Sequence, residues 1–280
     1  MIATNEIKRP ATMYYGGKWR LAPWIISHFP AHRSYVEPCG GVASVLLRKP
    51  ISPLETFNDL DKNVVNFFRV ARENPAELIR QLELTPYSRH ELELASTVSD
   101  DSTENARRFF VSCWVGISSA PYDKATGFCS SSYHGQRRVS HPRSFRDGAA
   151  ALDDVAKRFR YVQIENRPAE YVIQRYDDAD ALIYFDPPYV TDTRKQKKQY
   201  ALEVDNQFHI DVAELLRSAA GYVIVSGYAC PLCAELYEAY GWSRVDKESQ
   251  TNSGGKRIES LWLSPRTWKA LNKPEQLRLI

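Results

Sequence analysis

The chain has 280 residues, 43% hydrophobic and 25% charged, with a formal net charge of +3. That length supports one substantial core plus a smaller inserted lobe, and the modest positive charge permits a nucleic-acid partner without requiring one. Five thinly spread cysteines argue against a disulfide-stapled secreted scaffold and suit a reducing cytoplasm. The polar start Met1–Pro10 has no apolar signal core, and the longest apolar runs, near Ala181–Phe185 and Tyr222–Val225, are too short to span a bilayer. A cytoplasmic, soluble protein is expected.

In chain order, Tyr14-Tyr15-Gly16-Gly17-Lys18 precedes a helix carrying Leu21, Trp24, Ile25 and Phe29. The spacer and the Ser/Thr of a phosphate loop are missing, so an aromatic plus a lysine suits a zwitterionic amino-acid tail better than a triphosphate. A strand is predicted at Ser34–Glu37, then a glycine turn, Glu37-Pro38-Cys39-Gly40-Gly41-Val42-Ala43-Ser44, where backbone can approach a ligand closely. The next strand, Glu55–Asn58, ends in Asn58-Asp59-Leu60-Asp61. Asp61 reads as the N-cap of a helix with Val64, Val65, Phe68 and Arg72, which leaves Asp59 as the acidic residue for a nucleoside ribose.

From about Pro75 to Gly148 the helix–strand alternation breaks. This stretch reads as helices followed by a polar loop, Ser118–Arg146, with Arg137, Arg138, Arg143 and Arg146 crowded together. Strands resume at Tyr161–Glu165, Ala181–Phe185, Tyr222–Ser226, Ser243–Lys247 and Ser260–Ser264, with a helix at Asn206–Ala220. Alternating strands and helices predict an α/β sheet interrupted by a lobe. Cys230 and Cys233 form a C-x-x-C pair with no second pair, so they read as small apolar residues at a helix start rather than zinc ligands.

The most informative segment is Asp186-Pro187-Pro188-Tyr189, at the carboxyl end of the apolar strand Ala181–Phe185. Ligands of open α/β sheets bind at such ends. A specified four-residue string arises by chance in a chain this long on the order of one time in a thousand. A plain strand-ending turn is the competing explanation, but the parts suit one task. A carboxylate and a carbonyl stiffened by two prolines can accept the two hydrogens of a base's exocyclic amine, and Tyr189 offers a face to an unstacked base. Transfer to the amine then depends on positioning and electrostatics. Two further segments lie near the C-terminus: Ser226-Gly227-Tyr228 ends a strand, and Asn252-Ser253-Gly254-Gly255-Lys256-Arg257 reads as a hairpin turn before the last strand.

In this order the six segments resemble the Dam-type (D12 class) DNA adenine-N6 methyltransferases, including phage members, over essentially the whole chain. The resemblance implies a Rossmann-like, S-adenosylmethionine-dependent methyltransferase fold with a seven-stranded mixed sheet. Residues 1–74 and 149–280 would form the catalytic domain. Residues 75–148 would form a mainly helical target-recognition lobe with a β-hairpin near Gly127–Pro142. It implies that Tyr14, Lys18, Glu37, Gly41, Asp59 and Asp186 bind S-adenosyl-L-methionine. Asp186, Pro187, Pro188 and Tyr189 would be catalytic, with Tyr189 stacked on a flipped adenine. Tyr122, Lys124, Arg137 and Arg138 would contact double-stranded DNA. No metal or membrane is implied, and a cognate restriction enzyme is an open further partner.

Two departures stand out. Cys39 and Ala43 occupy positions where the family's glycine turn carries an aromatic residue and a second glycine, and Ser130-Ser131-Ser132 replaces the Asn-x-Pro of members that read GATC. N4-cytosine methylation and a catalytically silent DNA-binding protein on the same fold are the alternatives. An aspartate heading the Pro-Pro-Tyr favours adenine.

Overall fold

The computed structural model describes residues 7–117, 127–130, 140–190, 204–250 and 256–273. Seven strands form one sheet: β1 (Ser34–Glu37), β2 (Leu54–Asn58), β3 (Gln163–Glu165), β4 (Ala181–Phe185), β5 (Tyr222–Gly227), β6 (Ser243–Gln250) and β7 (Lys256–Leu263). Their order is β3-β2-β1-β4-β5-β7-β6. The first five run parallel, and β7 lies antiparallel to both β5 and β6. The mixed sheet expected from the sequence is therefore present.

Period-two alternation distributes the strand residues to two covered faces. Tyr35, Phe57, Leu182, Tyr184 and Ile224 join one core cluster with Val64, Phe67 and Phe68 of α3 (Lys62–Glu73). Val36, Ile183, Phe185, Val223 and Val225 join a second with Val172 and Ile173 of α9 (Ala169–Tyr176) and Val212 and Leu216 of α10 (Asn206–Ser218). Asp61 caps α3 as read from the sequence, accepting from Asn63 N at 2.9 Å.

Several boundaries shift, some of them for clear local reasons. β3 begins at Gln163 rather than Tyr161, because Val162 N still donates to Phe159 O in the turn closing α8 (Leu152–Phe159). β7 begins at Lys256, in register with Gln250 of β6. Ser264 leaves the strand to cap α12 (Pro265–Leu271), its hydroxyl accepting from Thr267 N.

The helices between β2 and β3 pack on the same core. α6 (Ser102–Val115) lies against α3, with Phe67 and Phe109 rings 5.3 Å apart. Phe110 meets Phe145 of α7 (His141–Ala150) edge to face at 5.4 Å. Arg146 is spent on α4 (Pro75–Leu84), donating to Leu82 O and Thr85 O at its carboxyl end. A charged cluster ties α8 to β2: Glu55 receives Lys49 at 2.6 Å and pairs with both Arg158 terminal nitrogens. Among the described residues, no helix is long and apolar enough to cross a membrane.

Candidate active site

Sheet topology makes the site. β1 pairs with β2 on one side and β4 on the other, so the strand order reverses between β1 and β4, and their carboxyl ends open a crevice there. Glu37, Asp59 and Asp186 sit at or just beyond the ends of three neighbouring parallel strands.

The glycine turn is built by backbone hydrogen bonds. Gly40 N donates to Asn58 O and Ala43 N to Gly40 O, both at 2.8 Å. Gly41 (φ 50°) and Ala43 (φ 54°) both take left-handed conformations, which glycine adopts freely and alanine at a cost of roughly 1–2 kcal/mol. The departure at Ala43 therefore leaves the turn's geometry in place under some strain. Asp59 locks the turn from β2: its Oδ2 accepts from Gly41 N and its Oδ1 from Asp61 N, each at 2.8 Å. Asn58 extends the lock, donating to Pro38 O and Arg167 O while its own oxygen accepts from Arg167 N.

Asp186 is held from two sides. Lys18 Nζ lies 3.0 Å from Oδ2, and the Ser226 hydroxyl donates to Oδ1 at 2.9 Å. Lys18 also donates to Gly16 O at 2.8 Å and stands 4.7 Å above the Tyr189 ring. Tyr189 is buried, with its hydroxyl 3.0 Å from Ser226 Oγ and hydrogen-bonded to Glu259 Oε1. Tyr228 packs edge-on against the same ring at 4.7 Å.

A cavity of about 250 Å³ opens over these groups, lined among others by Tyr14, Lys18, Glu37, Asp59, Asp186 and Phe208. Its charge is unbalanced towards acid. Burial, then the neighbouring Asp186, pushes the Glu37 carboxyl well above the ordinary range, and burial raises Asp59 to about 6 against its backbone donors. Glu37 Oε2 is buried with no hydrogen-bond partner. Such a wall suits a ligand with cationic groups and hydroxyl donors.

A profile of the D12 class N6 adenine-specific DNA methyltransferases matches residues 14–251. The chain belongs to this family. It is similar to the Type II methyltransferase M1.LlaDCHI of Lactococcus lactis subsp. cremoris, 23% identical over 93% of this chain and 94% of that protein. Among solved structures, the rRNA methyltransferase aviRa from Streptomyces viridochromogenes aligns over 96% of this chain and 93% of its own, at 13% identity and a TM-score of 0.39. The activity of the chain is adenine-N6 methylation of DNA.

Within this methyltransferase, Tyr14, Lys18, Glu37, Gly41, Asp59, Asp186 and Pro188 all line this cavity. Pro187 and Tyr189 do not: Tyr189 stands behind Lys18, its phenol turned towards β5 and β7. Tyr122, Lys124, Arg137 and Arg138 lie outside the described residues, as does most of the expected hairpin; of it, Phe128 bridges Gly116. Cys230 caps α11 (Pro231–Leu236), the helix start read from the sequence. Among the described residues no cluster of three or more His, Cys, Asp or Glu could hold a metal ion.

Sequence reasoning missed Glu259 and assigned no role to the Ser226 side chain. Glu259 had a signal: by strand alternation it shares a face of β7 with the buried Leu261 and Leu263, so a carboxyl sits where an apolar residue belongs.

Proposed function

We propose that the methyltransferase binds S-adenosylmethionine in the cavity between β1, β2 and β4 and presents a flipped adenine of double-stranded DNA to Asp186. When bound, the donor supplies a methyl group on a sulfonium centre. The residues around the cavity fit it. Glu37 Oε2, buried without a partner, would accept from the ammonium of the amino-acid tail, and Asp59 would accept from the ribose hydroxyls. Tyr14 and Gly41, which approach each other across the turn, would line its path.

The observation that carries this reading is the placement of Asp186. Its carboxylate lines the cavity at the end of β4, steadied on one oxygen by Lys18 and on the other by Ser226. Each oxygen keeps a further lone pair for an amine hydrogen, and the carbonyls of the stiff Pro187-Pro188 segment can take the second. Accepting both hydrogens localises the nitrogen lone pair for in-line attack on the methyl group, and positioning supplies most of the rate. Water exclusion strengthens these contacts, since Lys18 and Glu37 are themselves buried.

Stacking of the flipped base on Tyr189 would require that its ring, buried here beneath Lys18, be uncovered when DNA binds. DNA contact by Tyr122, Lys124, Arg137 and Arg138 belongs to this proposal, as does the recognition lobe at 75–148. Pairing with a cognate restriction enzyme draws support from the Type II designation of the relative. The test is methylation of unmodified DNA by purified protein, with modified bases mapped by single-molecule sequencing. Asp186→Ala is expected to abolish N6-methyladenine while DNA binding persists, and methylation surviving the substitution would sink the role given to Asp186.

A further inference from the structure

Four oxygens stand in a row behind the cavity. Ser226 Oγ is 2.9 Å from Asp186 Oδ1 and 3.0 Å from the Tyr189 hydroxyl, which in turn pairs with Glu259 Oε1. Three hydrogen bonds need three hydrogens, and a serine and a tyrosine own one each. With both carboxyls ionised, Ser226 would donate to Asp186 and Tyr189 to Glu259. The two hydroxyl oxygens would then face each other at 3.0 Å, lone pair to lone pair, where neither Tyr189 nor Ser226 is open to water. An unmade bond in such a place is costly, so the row holds a third hydrogen, on one of its two ends.

The surroundings decide which end. Lys18 Nζ is 3.0 Å from Asp186 but 3.8 Å from Glu259, and the Asp186 side chain is 16% exposed against 4% for Glu259. The better-paired, better-solvated carboxyl keeps the charge. We propose that Glu259 is an un-ionised carboxylic acid and a positioning residue for methyl transfer, its hydrogen setting the row to run Glu259 to Tyr189 to Ser226 to Asp186. That polarity makes Ser226 a fixed donor to Asp186 and turns the carboxylate's remaining lone pairs towards the cavity. The protonation follows from the hydrogen count together with the surroundings of the two carboxyls; the positioning role rests on the reading of Asp186 as the group that holds the amine.

The charged and titratable groups facing Glu259 pull in both directions. Lys18 comes from the loop before α1 (Ala22–Ile26), Tyr184 from β4, Asp186 and Tyr189 from the segment after it, Tyr228 from the end of β5 and Arg257 from β7 itself. Lys247 is the register partner on β6, but its ammonium lies over the Trp24 ring, 5.7 Å from the centroid. Burial, the largest influence, pushes the Glu259 carboxyl up and the Asp186 charge adds to the rise, while Lys18, Tyr189 and Arg257 only partly oppose it.

Infrared spectroscopy reads the hydrogen directly, because acid and carboxylate absorb at separate frequencies. The difference spectrum of wild type minus Glu259→Gln at neutral pH is expected to carry an acid carbonyl band. Carboxylate bands in its place would overturn the proposal. Tyr189→Phe removes the acceptor of the acid's hydrogen, so in that variant the band is expected to move, and an unmoved band would equally overturn it. The positioning role is read in single turnovers with saturating DNA. Gln has an amide N–H that can donate to Tyr189 as the acid does, whereas Met has similar volume and no donor. Glu259→Gln is expected to transfer at least about tenfold faster than Glu259→Met; equal rates would refute positioning. A wild type that methylates no DNA would instead overturn the function proposed for the cavity, and leaves the infrared result standing.

Discussion

Gly40→Ala tests whether the glycine turn is shaped by the core beneath it. Gly40 has no left-handed φ, so alanine is acceptable to the backbone there and the cost is purely steric. An ideal Cβ would sit 2.2 Å from Phe57 Cε2 and 2.5 Å from Cδ2, well inside the roughly 3.5–4.0 Å of a comfortable carbon contact. The ring cannot retreat. Phe57 is fully buried, edge to face with Phe68 at 4.9 Å and with Phe159 at 5.5 Å. The turn must lift instead, stretching Gly40 N from Asn58 O and Gly41 N from Asp59. Overpacking of this kind costs about 1–3 kcal/mol, and displacement by more than 1 Å puts the expectation near the upper end. For a domain of this size that corresponds to a fall in Tm of roughly 5–10 °C. Urea denaturation of wild type, Gly40→Ala, Phe57→Leu and the double variant measures it. The double variant is expected to be more stable than the sum of the singles predicts by about 1 kcal/mol or more. A Gly40→Ala protein as stable as wild type, or strict additivity, would refute the packing argument.

Asp59 provides a pH test with a definite sign. Its carboxyl is raised from 3.8 to about 6, so between those values the folded chain binds a proton that the unfolded chain has released. Stability therefore falls as pH climbs from about 4 to 6, by up to about 3 kcal/mol from this group, and the fall should flatten in Asp59→Asn. Denaturation midpoints across that range check it, and an unchanged slope in the variant would contradict the assignment. Donor binding should run the opposite way, tightening above pH 6 as Asp59 becomes a full acceptor for the ribose; calorimetric titration at pH 5 and 7 decides this. Arg158→Met leaves Glu55 with the Lys49 ammonium and the Ser52 N–H in a fully buried site, and should destabilise by about 3–5 kcal/mol in chemical denaturation. A loss below 1 kcal/mol would mean the cluster is not desolvated.

Much of this molecule could be read from local pattern. Ala181–Phe185 is an unbroken apolar run because both faces of β4 are covered, and Asp61 caps α3 because a carboxylate before an apolar helix has few other uses. The grouping of Glu37, Asp59 and Asp186 followed once their segments were recognised at strand ends, since parallel strands deliver their carboxyl ends to one edge, and Lys18 joins them from the loop before α1. The stretch at 75–148 was legible only as a break in alternation. Its helices α4, α6 and α7 share the catalytic core's packing, which no count of turns and helices within the segment could foretell.

Hydrophobic period and capping are local properties, and they set most strands and helices, the faces these bury and the positions of the acidic strand ends. Tyr189 turning its hydroxyl away from the cavity, Ser226 gripping Asp186 and Glu259 lying buried behind both depend on the assembled sheet. Tyr189 and Glu259 are 70 residues apart, and their partnership follows from β5 being flanked by β4 and β7. Periodicity fixes the side to which a residue points, whereas hydrogen-bond partners in a dry interior are set by which strands become neighbours.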